Sequence, residues 1–204
     1  MSGSGGVAHN VGSAFDVTLD VAAWDGAGAQ VDLSCAAMFS EEPAGAPTGG
    51  LAHLDAALGG RLLELRREGH FTGAPGECLL ISQPPETVAA KALLVVGLGH
   101  PQGWTPLHLR EAVRSAATFA LALGVRSAAF APGMRDSGLS ADGTAGAPAH
   151  MIAGLAAALA TRHRLVPMGL APAPVLERWA FDVGAERLDA AAREFREQLC
   201  GQGD

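Results

Sequence analysis

The segment Gly133-Met-Arg-Asp-Ser-Gly138 holds the polar side chains of this sequence that most invite a chemical reading. A guanidinium at Arg135, a carboxylate at Asp136 and a hydroxyl at Ser137 could bind an anion or orient a water, with Asp142 close behind. The same residues also make a plain turn, because Asp and Ser side chains hydrogen-bond to their own backbone. Gly97-Leu-Gly99 followed by Gly103 has the outline of a dinucleotide fingerprint, but the third glycine comes one position late and the next helix starts only at Pro106. A strand-ending turn is the expected reading. His100 and His108 flank that turn and could share a metal, yet no carboxylate at ligand spacing completes a site, so no metal is expected.

Nucleophile chemistry finds less support. Cys35, Cys78 and Cys200 are odd in number, far apart and outside any C-x-x-C pair, which argues against a disulfide framework or a zinc site. Cys35 and Cys78 lie in apolar runs without a cationic neighbour, so the three are expected to be free, mostly buried thiols. No Gly-x-Ser-x-Gly elbow is present, and no cofactor is expected.

The composition narrows the partners. A formal net charge of −7, with one lysine among the 14 basic residues, provides no stripe of phosphate-neutralising side chains, so nucleic acid is not an expected partner. The N-terminal residues lack a basic and then apolar leader pattern. No run approaches the roughly 18 charge-free apolar residues of a membrane span. A cytoplasmic protein is expected. At 204 residues with 49% hydrophobic residues, the chain suits one well-buried core.

These residues need elements to hold them. Residues 1–13 are glycine-rich and polar and read as a disordered segment, residues 14–200 as one domain and 201–204 as a tail. Phe15 to Val21 alternates apolar and polar residues as a strand with one wet face does, and Gln30 to Phe39 follows as a second strand. Leu51, Leu54, Leu58, Leu62 and Leu65 fall on one helical face, interrupted at Gly59-Gly60. Glu77 to Ser82 is a third strand. Ala92 to Pro132 reads as a complete β-α-β unit with parallel strands, its helix opened by Thr105-Pro106 and closed by Gly124. In that helix Leu109, Val113, Ala116, Ala120 and Leu123 form the expected buried stripe. Glu64, Arg66, Arg67 and Glu68 read as a solvated, salt-bridged surface. A long polar loop over residues 132–147 precedes an apolar helix from Pro148 to Leu159, and a strand at Val175 to Val183 and a helix with Leu188, Ala192, Phe195 and Leu199 end the chain.

A resemblance adds to this reading. Val31-Asp-Leu-Ser-Cys-Ala-Ala-Met-Phe39, Leu54-Asp-Ala-Ala-Leu-Gly-Gly60, Gly69-His-Phe-Thr-Gly-Ala-Pro-Gly-Glu77 and Leu93-Leu-Val-Val-Gly-Leu-Gly99 follow one another as in the N-terminal domain of M17 leucyl aminopeptidases, which this chain resembles from about Ala14 to Leu159. The resemblance implies a macro-domain-like fold, α/β with three layers and a mixed, mostly parallel sheet between helices. It also implies that peptidase chemistry belongs to a separate C-terminal domain. There lysine, aspartate and glutamate hold two metals, partly in a run Asn-Thr-Asp-Ala-Glu-Gly-Arg. No such run occurs here, and Lys91 has no cluster of carboxylates beside it, so a non-catalytic binding or regulatory module is expected.

The macro-like fold implies a second expectation, binding of ADP-ribose or a related nucleotide. In macro domains two glycine-rich loops at strand ends hold a diphosphate through backbone N–H groups. By that resemblance Gly49, Gly50 and Leu51 stand at the first loop, and Gly133, Arg135, Asp136, Ser137 and Gly138 at the second. The asparagine-rich strand end of macro hydrolases is Cys35-Ala-Ala-Met-Phe39 here, and Met134-Arg-Asp replaces the Ser-Thr-Gly signature, which counts against hydrolysis. A competing expectation is a protein-interaction module that docks on a peptidase or on itself as a homo-oligomer, with an exposed apolar patch. Trp104, just before the helix cap, could stack on a base or fold onto the core.

Overall fold

The computed structural model describes residues 6–24, 26–42, 48–133 and 146–201. Seven strands form one sheet in the order β1-β2-β7-β6-β3-β5-β4, where β1 is Ala8–Ala14, β2 Val17–Ala22, β3 Leu33–Phe39, β4 Cys78–Ile81, β5 Ala92–Gly99, β6 Ser127–Ala131 and β7 Arg178–Asp182. The five inner strands run parallel, and β1 and β4 run antiparallel at the two edges. Helices α3 (Pro106–Leu123), α4 (Ala147–Leu165) and α5 (Leu188–Cys200) cover one face, and α1 (Gly49–Ala57) and α2 (Arg61–Arg67) cover the other. This is the three-layer α/β/α arrangement with a mixed, mostly parallel sheet.

The two-residue period of the strands divides the core. In β3, Leu33, Cys35, Ala37 and Phe39 point to the three-helix side, while Ala36 and Met38 point to the α1–α2 side, and all of them are buried. β5 divides in the same way, with Leu94, Val96 and Leu98 on the first side and Leu93 and Val95 on the second. The strands of the expected β-α-β unit are parallel, but β3 lies between them, so α3 carries the chain from β5 across β3 to β6.

Several expectations need correction. Residues 8–13, read as part of a disordered segment, form with Ala14 the strand β1, which pairs with β2 through a tight turn in which Phe15 and Asp16 both take positive φ, 49° and 64°. Its glycines and polar residues gave no apolar run, and it is tertiary pairing that makes the strand. The interruption expected at Gly59-Gly60 is present, and the run of five leucines is divided between two helices. Gly59 and Gly60, at φ 68° and 80°, reverse the chain, and Asp55 of α1 accepts from the Leu63 amide at 3.1 Å, capping α2 from outside. Leu123, expected in the buried stripe of α3, is 46% exposed at the helix end. Cys35 is buried, Cys78 half-buried and Cys200 exposed.

Helix α3 follows its local signals, with Pro106 in the first turn and Gly124 closing it in the left-handed conformation at φ 68°. His108 Nδ1 accepts from the Thr105 amide at 3.0 Å and secures the start. Helix α4 crosses α3 at Gly154, where a β-carbon would stand 2.3 Å from Arg110 O and 3.1 Å from Val113 Cβ. Backbone therefore touches backbone at the crossing. Replacing Gly154 with alanine is expected to force the two helices apart and cost about 1–3 kcal/mol, despite alanine's better helix propensity. A urea titration of Gly154→Ala with unchanged or raised stability would contradict the packing.

Candidate functional site

Because the five inner strands are parallel, β2, β7, β6, β3 and β5 all deliver their C-terminal ends to one edge of the sheet. In open α/β sheets that edge is where ligands bind, since the loops there are freed from pairing. Helix α1 starts there, after Thr48, whose side chain makes no capping hydrogen bond. Thr48 and Gly49 are exposed and Gly50 is half-buried. A β-carbon on Gly26 would lie 4.0 Å from Gly50 O, so the start of α1 rests beside the turn that leaves β2. Leu51 points its side chain into the core and offers this edge main chain alone. Gly133, at φ 59°, leaves β6 so close to β3 that a β-carbon would stand 3.1 Å from Ala37 O. Arg135, Asp136, Ser137, Gly138 and Asp142 lie outside the described residues.

Two buried carboxylates organise this edge, and neither was anticipated from the sequence. Asp182, at the end of β7, accepts from the amides of Trp24 and Gly26, each at 2.9 Å, and so fixes the exit from β2. Glu42, beyond the end of β3, has a side chain only 2% exposed and pairs with Arg66 Nη1 at 2.9 Å. Arg66 Nη1 also donates to Phe39 O at 3.0 Å. Arg66 was expected on a solvated surface; it is instead the tie between α2 and the end of β3, while Arg67 and Glu64 form the surface pair. Charge pattern alone could not separate Arg66 from Arg67, because burial is set by the loop that brings Glu42 over it.

The glycines of Gly97-Leu-Gly99 have a packing task. A β-carbon on Gly97 would meet Ala74 O at 2.0 Å, and one on Gly99 would meet the Pro75 ring at 2.7 Å. Residues 72–77 cross the end of β5 there, with Gly99 N donating to Gly73 O at 2.8 Å and Gly97 N to Glu77 O at 2.8 Å. Glu77 holds the crossing together. Burial alone would raise its pKa, but the Thr72 hydroxyl and the amides of Ala74, Thr72 and Gly73 outweigh it and hold the carboxyl below its ordinary range.

The two histidines do separate jobs. His100 Nε2 donates to Glu41 at 2.8 Å and its Nδ1 accepts from Gln102 N at 3.2 Å, whereas His108 caps α3. Among the described residues no three His, Cys, Asp or Glu side chains are grouped to hold a metal. Trp104 is half-buried and packs on the three-helix core. Burial pushes the Cys35 thiol far up, and desolvation followed by the Glu77 charge raises Cys78, so neither is an activated nucleophile.

At the opposite edge, an open depression of about 430 Å³ is lined by Gln30, Val31, Asp32, Ala89, Lys91 and Ser127. Asp32 accepts from Lys91 Nζ at 2.7 Å and from the amides of Arg126 and Ser127 at 2.9 and 3.0 Å. Lys91, whose side chain is largely exposed, thus reaches from the start of β5 to the start of β3.

Residues 37–161 match the N-terminal domain of the cytosol aminopeptidase family. The chain belongs to this family. Among solved structures it is similar to a mutant tomato leucine aminopeptidase at 19% identity and a TM-score of 0.56, over 85% of this chain and 34% of that one. It thus spans about a third of the length of that enzyme. It is also similar to the Oceanobacillus iheyensis macrodomain solved with ADP, at 17% identity and a TM-score of 0.63 over 97% of both chains. A third likeness is the Trypanosoma brucei macrodomain in complex with ADP-ribose, at 19% identity and a TM-score of 0.56, over 90% of this chain and 69% of that one. At these identities the structural likenesses establish the macrodomain fold. Among curated proteins no match was found. No helix of the described residues is long and apolar enough to cross a membrane.

Two tests follow from the edge networks. Arg66→Met strands the buried Glu42 carboxylate and is expected to cost about 3 kcal/mol, whereas Arg66→Met with Glu42→Leu recovers most of it. Equal losses in both variants, measured by chemical denaturation, would show that the pair does not act as a unit. For Asp32, the hydrogen bond from Lys91 is the largest influence, and together with the two amides it outweighs desolvation and lowers the carboxyl below 3.8. Its contribution is therefore full above pH 3.8 and is lost as pH falls through the lower folded value. The melting temperature of Asp32→Asn should accordingly differ from that of the unaltered chain at pH 6 and converge with it in strong acid.

Proposed function

We propose that this chain is a non-catalytic binding module that holds a nucleotide-like small molecule, of the ADP or ADP-ribose kind, at the C-terminal edge of its sheet. The reading is supported chiefly by one juxtaposition. The start of α1 at Gly49 and Gly50, beside the turn that leaves β2, and the departure of β6 at Gly133, beside Ala37 of β3, lie at this one edge with main chain exposed or half-buried. First-turn amides of a helix have no acceptor within the helix and, with the helix dipole, favour an anion. Glycine lets a diphosphate approach such amides closely. Arg135, Asp136, Ser137 and Gly138 belong to the proposal as the continuation of the second loop, and Leu51 through its main chain.

Two macrodomains of the same fold were solved with ADP and with ADP-ribose, which makes these the first ligands to test. The inward-pointing Arg66 is occupied by Glu42, so the proposal gives it no part in holding phosphates. Hydrolysis is not part of the proposal. No activated thiol stands at this edge among the described residues.

Thermal unfolding with ADP-ribose and with ADP at a hundred times the dissociation constant is expected to show stabilisation of about 2.7 kcal/mol. Gly50→Val and the double variant Arg135→Ala with Ser137→Ala should abolish that shift and leave the ligand-free melting curve nearly in place. Absence of any shift for the unaltered chain would reject the nucleotide reading and leave a protein-interaction module.

A further inference from the structure

We propose that residues 72–76 form an acid-released strap, latched by the Glu77 carboxylate across the C-terminal ends of β5 and β3. The strap lies directly on main chain. Gly73 is buried at φ 73°, and a β-carbon on it would stand 2.8 Å from Phe39 O at the end of β3. Ala74 and Pro75 lie against Gly97 and Gly99 of β5, at the two positions where that strand has no side chain to hold them off. Gly99 N donates to Gly73 O at 2.8 Å and Gly76 N to Gly97 O at 3.2 Å. On the outside Thr72, Ala74, Pro75 and Gly76 are exposed, so solvent can replace those bonds once the strap lifts.

The latch converges on a single oxygen. Glu77 Oε2 accepts from the Thr72 amide at 2.9 Å, from the Thr72 hydroxyl at 2.7 Å and from the Ala74 amide at 3.1 Å. The left-handed Gly73 between them turns successive amides toward one point, the nest arrangement by which backbone holds an anion. An ionised carboxylate can accept all of these donors, and bonds to it are roughly twice as strong as those to a neutral group. A protonated carboxyl brings a hydroxyl donor of its own into a ring of donors. The strap therefore closes on the anion and loosens on the acid.

The charged groups on the neighbouring elements are engaged elsewhere. On β4 the adjacent Cys78 thiol is raised by desolvation and then by the Glu77 charge, and stays neutral. Past the end of β5, His100 is held by Glu41, and ahead of the strap His70 lies 3.7 Å from Glu68. Arg66, which reaches Phe39 O, is held by Glu42. Among the described residues no cation pairs with Glu77, so its own ionisation governs the nest. Burial raises its pKa, but the Thr72 hydroxyl and the amides of Ala74, Thr72 and Gly73 together bring it below its ordinary 4.5. Closure is therefore complete above pH 4.5 and is lost as pH falls through the lower folded value. Release uncovers the main chain of Gly97 and Gly99 and leaves the middle of β5 paired with β3 and β4.

Amide hydrogen exchange of the full chain, read residue by residue by NMR and expressed as protection factors, tests the latch. Between pH 6 and pH 3 protection of the Gly99 amide is expected to fall about tenfold, as the loss of a charge-assisted bond implies. Its midpoint should match that of the Glu77 carboxyl resonance. The Leu94 amide, in the middle of β5, should keep its protection. Glu77→Gln, which carries the neutral group at every pH, should show the low Gly99 value already at pH 6 and change no further on acidification. Thr72→Val removes the hydroxyl donor and should move the midpoint to higher pH. Unaltered Gly99 protection in Glu77→Gln at pH 6 overturns the proposal, as does a loss on acidification that Leu94 shares equally.

Discussion

The burial of β3 on both faces is the constraint from which the rest of the structure follows. All seven of its residues are buried, between β6 on one side and β5 on the other. Its peptide groups must therefore find partners within the protein, most of them in the neighbouring strands and one, Phe39 O, in the Arg66 side chain, and each face must be covered by a helix layer. Parallel neighbours need crossovers long enough to return the chain, which is what α3 and the α1–α2 hairpin supply. The small residues of Ser34-Cys-Ala-Ala37 let the layers close on the centre.

The same constraint places the polar chemistry. With both faces covered, charged groups can enter only at the strand ends, and the two ends are used differently. At the starts of β3 and β5, Asp32 and Lys91 fasten backbone together. At the C-terminal ends, Asp182 and the Glu42–Arg66 pair fasten the segments that leave β2 and β3. A buried carboxylate is expensive to leave unpaired, so Asp182 with its two amides and Glu42 with Arg66 tie together the described segments at this edge.

Close backbone crossings are the third element. Gly97 and Gly154 have ordinary φ values, yet a β-carbon at either would collide with a carbonyl oxygen, Ala74 O at 2.0 Å and Arg110 O at 2.3 Å. Their glycines serve contact rather than conformational freedom. This explains why Gly97-Leu-Gly99 has the outline of a phosphate-binding fingerprint while lying within a strand crossed by residues 72–77.

Local signals were sufficient for what local physics controls. The apolar runs at Leu33–Phe39 and Ala92–Gly99, the proline and glycine that bound α3, and the breaks at Gly59-Gly60 could all be read in the sequence, and so could the family to which residues 37–161 belong. Their signals lie within a few residues of the structure they specify. What required the tertiary structure was everything that depends on distant segments meeting. Residues 8–14 become a strand only because β2 offers its edge, and Arg66 leaves the solvated helix face only because Glu42 comes over it. Asp182 finds its donors 158 and 156 positions earlier in the chain, at Trp24 and Gly26. The periodicity of a strand or helix fixes which face is apolar, but burial of one particular charge or glycine is decided by which element crosses it, and that is a property of the packed fold.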